Sequence, residues 1–225
     1  STMKAAGAPR NVMSTLSEDE HAHVQACRDW QRTKAENGWA GLTWPVEFGG
    51  RGLTGLQQGI FLEEEHKYDL AVGMFAQATG MVGPSIIVHG TEEQKTQFLP
   101  SILRGEQVWC QLFSEPNAGS DLAALRTKAE LDGDEWVISG QKVWTSSAHV
   151  ADWGMLLART DWDAPKHRGI TYFLLDMRSP GIEVRPLVQA TGGAEFNEVF
   201  LEEVRIPKEN VLGEVGGGVY VLMSG

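Results

Sequence analysis

The sequence predicts an α+β chain, with an N-terminal helical bundle followed by an antiparallel β-barrel or sandwich. Three observations carry this. Up to about residue 105 the apolar residues recur at helical spacing behind capping signatures. From Glu106 onward the period changes to two, with short apolar runs and a single Asp-Gly turn signal at Asp132-Gly133. At Gly213 a glycine-rich stretch, "GEVGGGVYVLMSG", opens another apolar helical segment. The expected division is 1–105 helical, 106–212 β, and 213–225 as the start of a C-terminal helical domain that the chain does not contain.

In the helical part, Ser17-Glu18-Asp19-Glu20 and Thr91-Glu92-Glu93-Gln94 have the form of capping boxes. Behind the second, Phe98, Leu99, Ile102 and Leu103 form one apolar stripe. Thr54 opens a helix carrying Leu56, Ile60 and Phe61. The run "LAVGMFAQATGMVGPSIIVHG" (70–90) is small or apolar almost throughout and reads as a helix buried inside the bundle. Between the first two helices a Gly/Pro-punctuated loop (38–55) carries Trp39, Trp44 and Phe48, which are expected to plug a seam, because together they would otherwise expose a large apolar patch. In the β part, "ALRTKAELDGDEWVISGQKVWTS" reads as a hairpin, and four more short strand patterns follow with no helix between them.

Composition narrows the function. Thirty acidic against nineteen basic residues give a formal charge of −11, and no basic patch stands out, so nucleic-acid binding is not expected. No apolar run approaches the ~18 residues of a membrane span, and the N-terminus lacks a signal-peptide pattern. Cys27 and Cys110 match no metal spacing and read as reduced thiols in a cytoplasmic protein. The six histidines are isolated: His21 and His23 on a solvated helix face, His66 and His89 near helix ends, His149 and His167 in loops. Gly216-Gly217-Gly218 matches no dinucleotide fingerprint and reads as a flexible hinge.

The stretch "WCQLFSEPNAGSDLAAL" (109–125) is the most telling. A turn between strands needs two to five residues, yet this polar segment is longer and rich in hydroxyls and free backbone N–H groups, as a loop that holds something would be. With "GWAGLTWPVEFGGRGLT", "HGTEEQKTQFLPSILRGE", "KVWTSSAHVADWGMLLAR" and "FNEVFLEEVRIPKENVLGEVGGG" in the same order, residues 30–218 resemble the acyl-CoA dehydrogenase family of flavoproteins.

That resemblance implies FAD held at the face of the β domain by 111–121 and 144–146. Gln111, Leu112 and Phe113 would lead into the loop, with Phe113 and Thr145 giving backbone contacts. Ser114 would donate to the N1–C2 edge of the flavin, where reduction gathers charge, and Ser146 would bond near N5. Gly119 and Ser120 would let the backbone approach, Ser120 also facing the acyl-CoA. Trp144 would shield the ring. Asn117 stands where a glycine is usual and is expected to tolerate a positive φ. Gln111 replaces a frequent aromatic, and Ser147 a frequent Asn.

The implied reaction is α,β-dehydrogenation of an acyl-CoA thioester in lipid metabolism: a carboxylate takes the α-proton while the β-hydride moves to flavin N5. That carboxylate is expected from the C-terminal helical domain, so no catalytic residue is assigned within this chain. The implied partners are acyl-CoA, electron-transfer flavoprotein or a similar acceptor, and further subunits in a homo- or hetero-oligomer. A non-catalytic flavin- or acyl-CoA-binding subunit, and an acyl-CoA oxidase or flavin monooxygenase on the same fold, remain alternatives.

Overall fold

The computed structural model describes residues 17–187 and 196–224; the first sixteen residues of the expected helical span lie outside it. Helix α1 (Glu18–Glu36) starts at Ser17, whose side chain accepts from Glu20 N–H while Glu20 reaches back to the Ser17 backbone. Its first turn is acidic, which suits the positive end of the helix dipole. It buries Val24, Cys27 and Gln31. Helix α2 (Gly55–Glu65) has its own capping box, Thr54 with Gln57. The only residue it buries is Glu65, which accepts from Trp30 Nε1 at 2.6 Å and pairs with Lys34 at 3.0 Å.

The run 70–90 departs from the expected buried helix. Gly73 takes φ 101°, a wide π-type turn covers Ala78–Val82, and only then does α3 (Gly83–His89) form. Pro84 explains the break, since it lacks the N–H that a continuous α-helix would bond to the carbonyl four residues earlier. One face is buried, through Ala78, Val82 and Ile86, while Val88 on the other is exposed. Helix α4 (Glu92–Leu103) starts at the Thr91 cap and buries the stripe Phe98, Leu99, Ile102 and Leu103 as its spacing requires.

Of the three loop aromatics, Trp44 is the deep one. It donates from Nε1 to Thr79 O at 2.9 Å and lies so close to Gly83 that a Cβ there would come within 1.9 Å of its ring. Phe48 is half-buried beneath Lys95. Trp39 is 40% exposed, stacked on Phe61 at 5.3 Å with the Arg51 guanidinium over it at 4.3 Å. Trp44 thus lies in the core and Phe48 packs against the same cluster, while Trp39 sits nearer the surface on Phe61.

Among the described residues, seven strands form one curled sheet: β1 (Trp109–Leu112), β2 (Lys128–Asp132), β3 (Glu135–Ser146), β4 (Trp153–Arg159), β5 (Ile170–Asp176), β6 (Ile182–Leu187) and β7 (Phe196–Pro207). The order is β1-β4-β2-β3-β7-β6, with β5 also on β4. The Asp132-Gly133 signal makes the β2–β3 hairpin as expected, with Gly133 at φ 64°. The sheet is mixed, however, and not wholly antiparallel: β1 runs parallel to β4, and β2 meets β4 parallel at Lys128 and Arg159. Residue alternation reports that a strand is half-buried, but not which partner it finds across forty residues of chain. β1 and β2 thus meet β4 one after the other, and the segment 113–127 bridges them.

Successive residues of β1 and β4 enter opposite cores. Cys110, Leu112, Leu156 and Ala158 join Ile138, Phe173 and Val199 in one cluster. Trp109, Phe113, Met155 and Leu157 join Ile86, Phe98 and Leu99 of the helices in the other. After β7, the glycine run does not behave as a hinge. Gly216 N donates to Thr171 Oγ1 at 2.8 Å, and a Cβ on Gly218 would meet the Thr171 carbonyl carbon at 2.8 Å, so the backbone packs closely on β5 before α5 (Gly218–Ser224) begins.

Candidate functional site

The ends of β1 and β3 come together at one end of the sheet, where Val143 N donates to Ser114 O at 2.9 Å. Beyond Ser114 the chain closes a tight corner around Pro116-Asn117, in which Glu115 N donates to Ala118 O at 2.9 Å and Ala118 N to Glu115 O at 3.1 Å. Asn117 does not take a positive φ, so the left-handed conformation it was expected to tolerate is not used at this corner. Gly119 and Ser120 follow, both exposed. A Cβ on Gly119 would meet nothing within 4 Å, so the chain's own packing does not demand glycine there.

The corner is tied to β3 by a buried ion pair. Lys142 is fully buried; its Nζ donates to Glu115 Oε1 at 2.9 Å and to Phe113 O at 3.1 Å. The Glu115 carboxylate also accepts from Arg126 N at 2.6 Å and Thr127 N at 2.9 Å. Burial pushes the Lys142 ammonium down to about 8, against the pull of Glu115. Burial pushes the Glu115 carboxyl up, but the Lys142 charge and the donated hydrogen bonds together outweigh it and hold the group below the usual carboxylate range.

At the end of β3 the ladder to β7 slips by one residue between Lys142 and Thr145. A bulge of this kind re-aims a side chain. Here Trp144 adopts φ 57°, costly for a bulky residue, and stands 64% exposed with Phe196 edge-on at 5.9 Å. Ser146 follows, half-buried, and Ser147 is again left-handed at φ 60°. Thr145 between them is buried, its carbonyl accepting from Asn197 Nδ2 at 3.0 Å. Thr145 Oγ1 and Asn197 Oδ1 are buried without a partner. Asn197 Nδ2 also lies 3.3 Å from His149 Nδ1, and His149 Nε2 lies 4.0 Å from Glu20 in the first turn of α1. Burial lowers the His149 pKa, with Glu20 acting in the opposite sense.

The sequence-predicted residues thus fall into two groups. Ser114, Gly119, Ser120, Trp144 and Ser146 are exposed or half-buried around the two adjacent strand ends, with half-buried Gln111 near the end of β1. Leu112 and Phe113 point into opposite cores, and Thr145 is also buried, which leaves these three little but their backbone to offer. Sequence reasoning missed Lys142 and Asn197. A signal for Lys142 existed: it follows Trp136, Ile138 and Gly140 at period two, the parity that enters the core. A groove of about 710 Å³ lined by Arg32, Phe48, Lys95 and Leu99 lies between α1 and α4 and contains none of these residues. Among the described residues, no cluster of His, Cys, Asp or Glu is placed to hold a metal, and no helix is long and apolar enough to cross a membrane.

Residues 8–106 match the family model described as the acyl-CoA dehydrogenase N-terminal domain, and 110–204 the one described as the middle domain. Acyl-CoA dehydrogenase FadE34 of Mycobacterium tuberculosis is 51% identical over 190 residues, covering 82% of this chain and 26% of the relative. The solved "Tcur3481-Tcur3483 steroid ACAD" superposes with a TM-score of 0.80 at 34% identity, over 93% of this chain and 56% of that one. The ChsE4-ChsE5 complex from Mycobacterium tuberculosis gives 0.81 at 32%, over 98% and 60%. The chain thus spans about a quarter of FadE34 and somewhat more than half of each solved chain. Two family models in register, and relatives alike along nearly all of the chain, place it in the acyl-CoA dehydrogenase family.

Proposed function

We propose that this chain is the cofactor-holding part of an FAD-dependent acyl-CoA dehydrogenase. The observation that carries the reading is the bulge at 142–145, which turns Trp144 outward beside Ser146 at the strand end adjoining Ser114. An exposed tryptophan held at a costly φ, flanked by hydroxyls, fits an aromatic ring system better than solvent. The open space at Gly119 fits a further molecule there too. When bound, FAD supplies the acceptor for the substrate's β-hydride.

The chain's own residues then have distinct tasks. Ser114 offers a hydroxyl to the N1–C2 edge, and Ser146 offers one near N5. Trp144 covers the ring and keeps water out. Gly119 and Ser120 admit the backbone to close approach, and Ser120 also faces the acyl-CoA. No residue of this chain is assigned as the base that takes the α-proton; it is expected from the part of the solved relatives that this chain does not cover, about 40% of each.

Two of the solved relatives support finer proposals. The name "steroid ACAD" suggests a bulky polycyclic acyl-CoA. The ChsE4-ChsE5 complex suggests that the partner is a second chain, and it suits a second reading in which this chain is a non-catalytic subunit whose partner supplies the base. The test is to isolate the intact protein, measure bound FAD, and follow anaerobic bleaching with steroid-bearing and straight-chain acyl-CoA thioesters. Stoichiometric FAD with bleaching by the polycyclic thioester is expected, and electron transfer to electron-transfer flavoprotein rather than oxygen. Absence of FAD would sink the reading. FAD without bleaching by any thioester would favour the non-catalytic subunit.

A further inference from the structure

Lys142 is a charged group where a stable sheet would do as well without one. It is fully buried on a strand whose same-face neighbours Trp136 and Ile138 are core residues. Replacing a buried ion pair by apolar residues is often neutral or stabilising, so stability alone does not explain it. What the ammonium does locally is specific: it grips Phe113 O at 3.1 Å and Glu115 Oε1 at 2.9 Å, one residue on each side of Ser114. A trans peptide is planar, with its C=O and N–H on opposite sides. Drawing the Phe113 carbonyl inward to Lys142 therefore turns the Ser114 N–H away from the core. The next carbonyl, Ser114 O, is held by Val143 N at 2.9 Å, so both peptide planes flanking Ser114 are fixed from β3.

We propose that Lys142 is a positioning residue for the flavin, aiming the Ser114 N–H and hydroxyl at the pyrimidine edge from behind by holding the Phe113 carbonyl and Glu115. This rests on the FAD reading above. Lys142 itself touches neither cofactor nor substrate. Its contribution is that the donors at that edge are already oriented before charge develops there, which is what makes such donors effective. The neutral pair Lys142–Glu115 adds little net field, so the effect is carried by geometry.

The test uses the intact protein as parent, Lys142→Met, and the double variant Lys142→Met/Glu115→Gln, with thermal midpoint, FAD dissociation constant and flavin midpoint potential measured for each. Lys142→Met leaves Glu115 buried and unpaired, so a lower thermal midpoint is expected, with FAD binding weakened roughly tenfold or more and the potential lowered. The double variant removes the lone charge and should recover thermal stability, yet Phe113 O is still ungripped, so potential and FAD affinity should stay low. Recovery of potential and affinity in step with thermal stability would overturn the proposal, leaving Lys142 a purely structural group. So would a double variant that matches the parent potential even if Lys142→Met alone does not fold. A parent that holds no FAD would instead overturn the flavin reading itself, and is told apart because it fails before any variant is compared.

Discussion

The helical layer and the sheet use their apolar residues in opposite ways. β4 is buried at every position and β5 at all but its last, their apolar side chains divided between two cores. Helix α2 buries only Glu65 while leaving Leu56 and Ile60 in solvent, and α5 leaves Tyr220 and Met223 exposed. The central strands are packed on both faces and can serve as a rigid platform. The helical layer has one face against the sheet and another still uncovered, as expected of a layer meant to be packed on both sides.

Each region also has a buried ion pair, and these give the sharpest contrast. Lys142–Glu115 has side-chain exposures of 0% and 8%, and Lys34–Glu65 has 16% and 3%. Lys142→Met should cost about 3–5 kcal/mol, because it strands a buried carboxylate. Lys34→Met should cost about half as much or less, since Trp30 still donates to Glu65. Equal losses by denaturant unfolding would mean that the two layers unfold as one unit of even rigidity.

Truncation comes next. Leu156→Ala removes a fully buried side chain from β4 and should destabilise by about 2–5 kcal/mol. Leu56→Ala on α2 should fall within about 0.5 kcal/mol of the parent. A large loss at Leu56 in the intact protein would show that this face is covered there.

Smaller effects separate the capping and titrating groups. Ser17→Ala removes the α1 cap and should cost about 0.5–2 kcal/mol, with the loss confined to the helical layer by hydrogen exchange. Acid should act in two steps. His149 has a folded pKa below its usual 6.5, so stability is lost as pH falls from that value toward the folded one, where the unfolded chain binds more protons. Glu115 has a folded pKa below 4.5, so its contribution is full above 4.5 and is lost as pH falls through the lower folded value. A pH titration of stability on His149→Gln should lose the first step, and on Glu115→Gln the second.

What the sequence disclosed follows the range of the interactions. Ser17, Thr54 and Thr91 act within one helical turn, and Asp132-Gly133 within two residues, so these elements were legible in place. The strands were legible from alternation, but the parallel pairing of Trp109–Leu112 with β4 depends on contacts forty residues away, and it was missed. Pro84 is a local signal inside 70–90, but an apolar run of that length suits a continuous buried helix as well, so the proline alone does not locate the break. In the site, the motif residues drew attention through hydroxyls and glycines. Lys142 and Asn197 did not, because their importance lies in which backbone carbonyls they reach, and the bulge that displays Trp144 leaves no compositional trace.

The placement of the two thiols gives the molecule a built-in clock. Cys110 lies within β1, wholly enclosed and pushed up to about 12 by burial, while Cys27 lies on the buried face of α1 and is raised less. Neither can react with an alkylating reagent until its strand or helix lifts, because the thiolate is the reactive form and it must be reached. The two alkylation rates, read peptide by peptide, therefore time the opening of β1 and of α1 separately, with no label or substitution introduced. If a ligand at the Ser114 corner tightens β1, the Cys110 rate alone should slow.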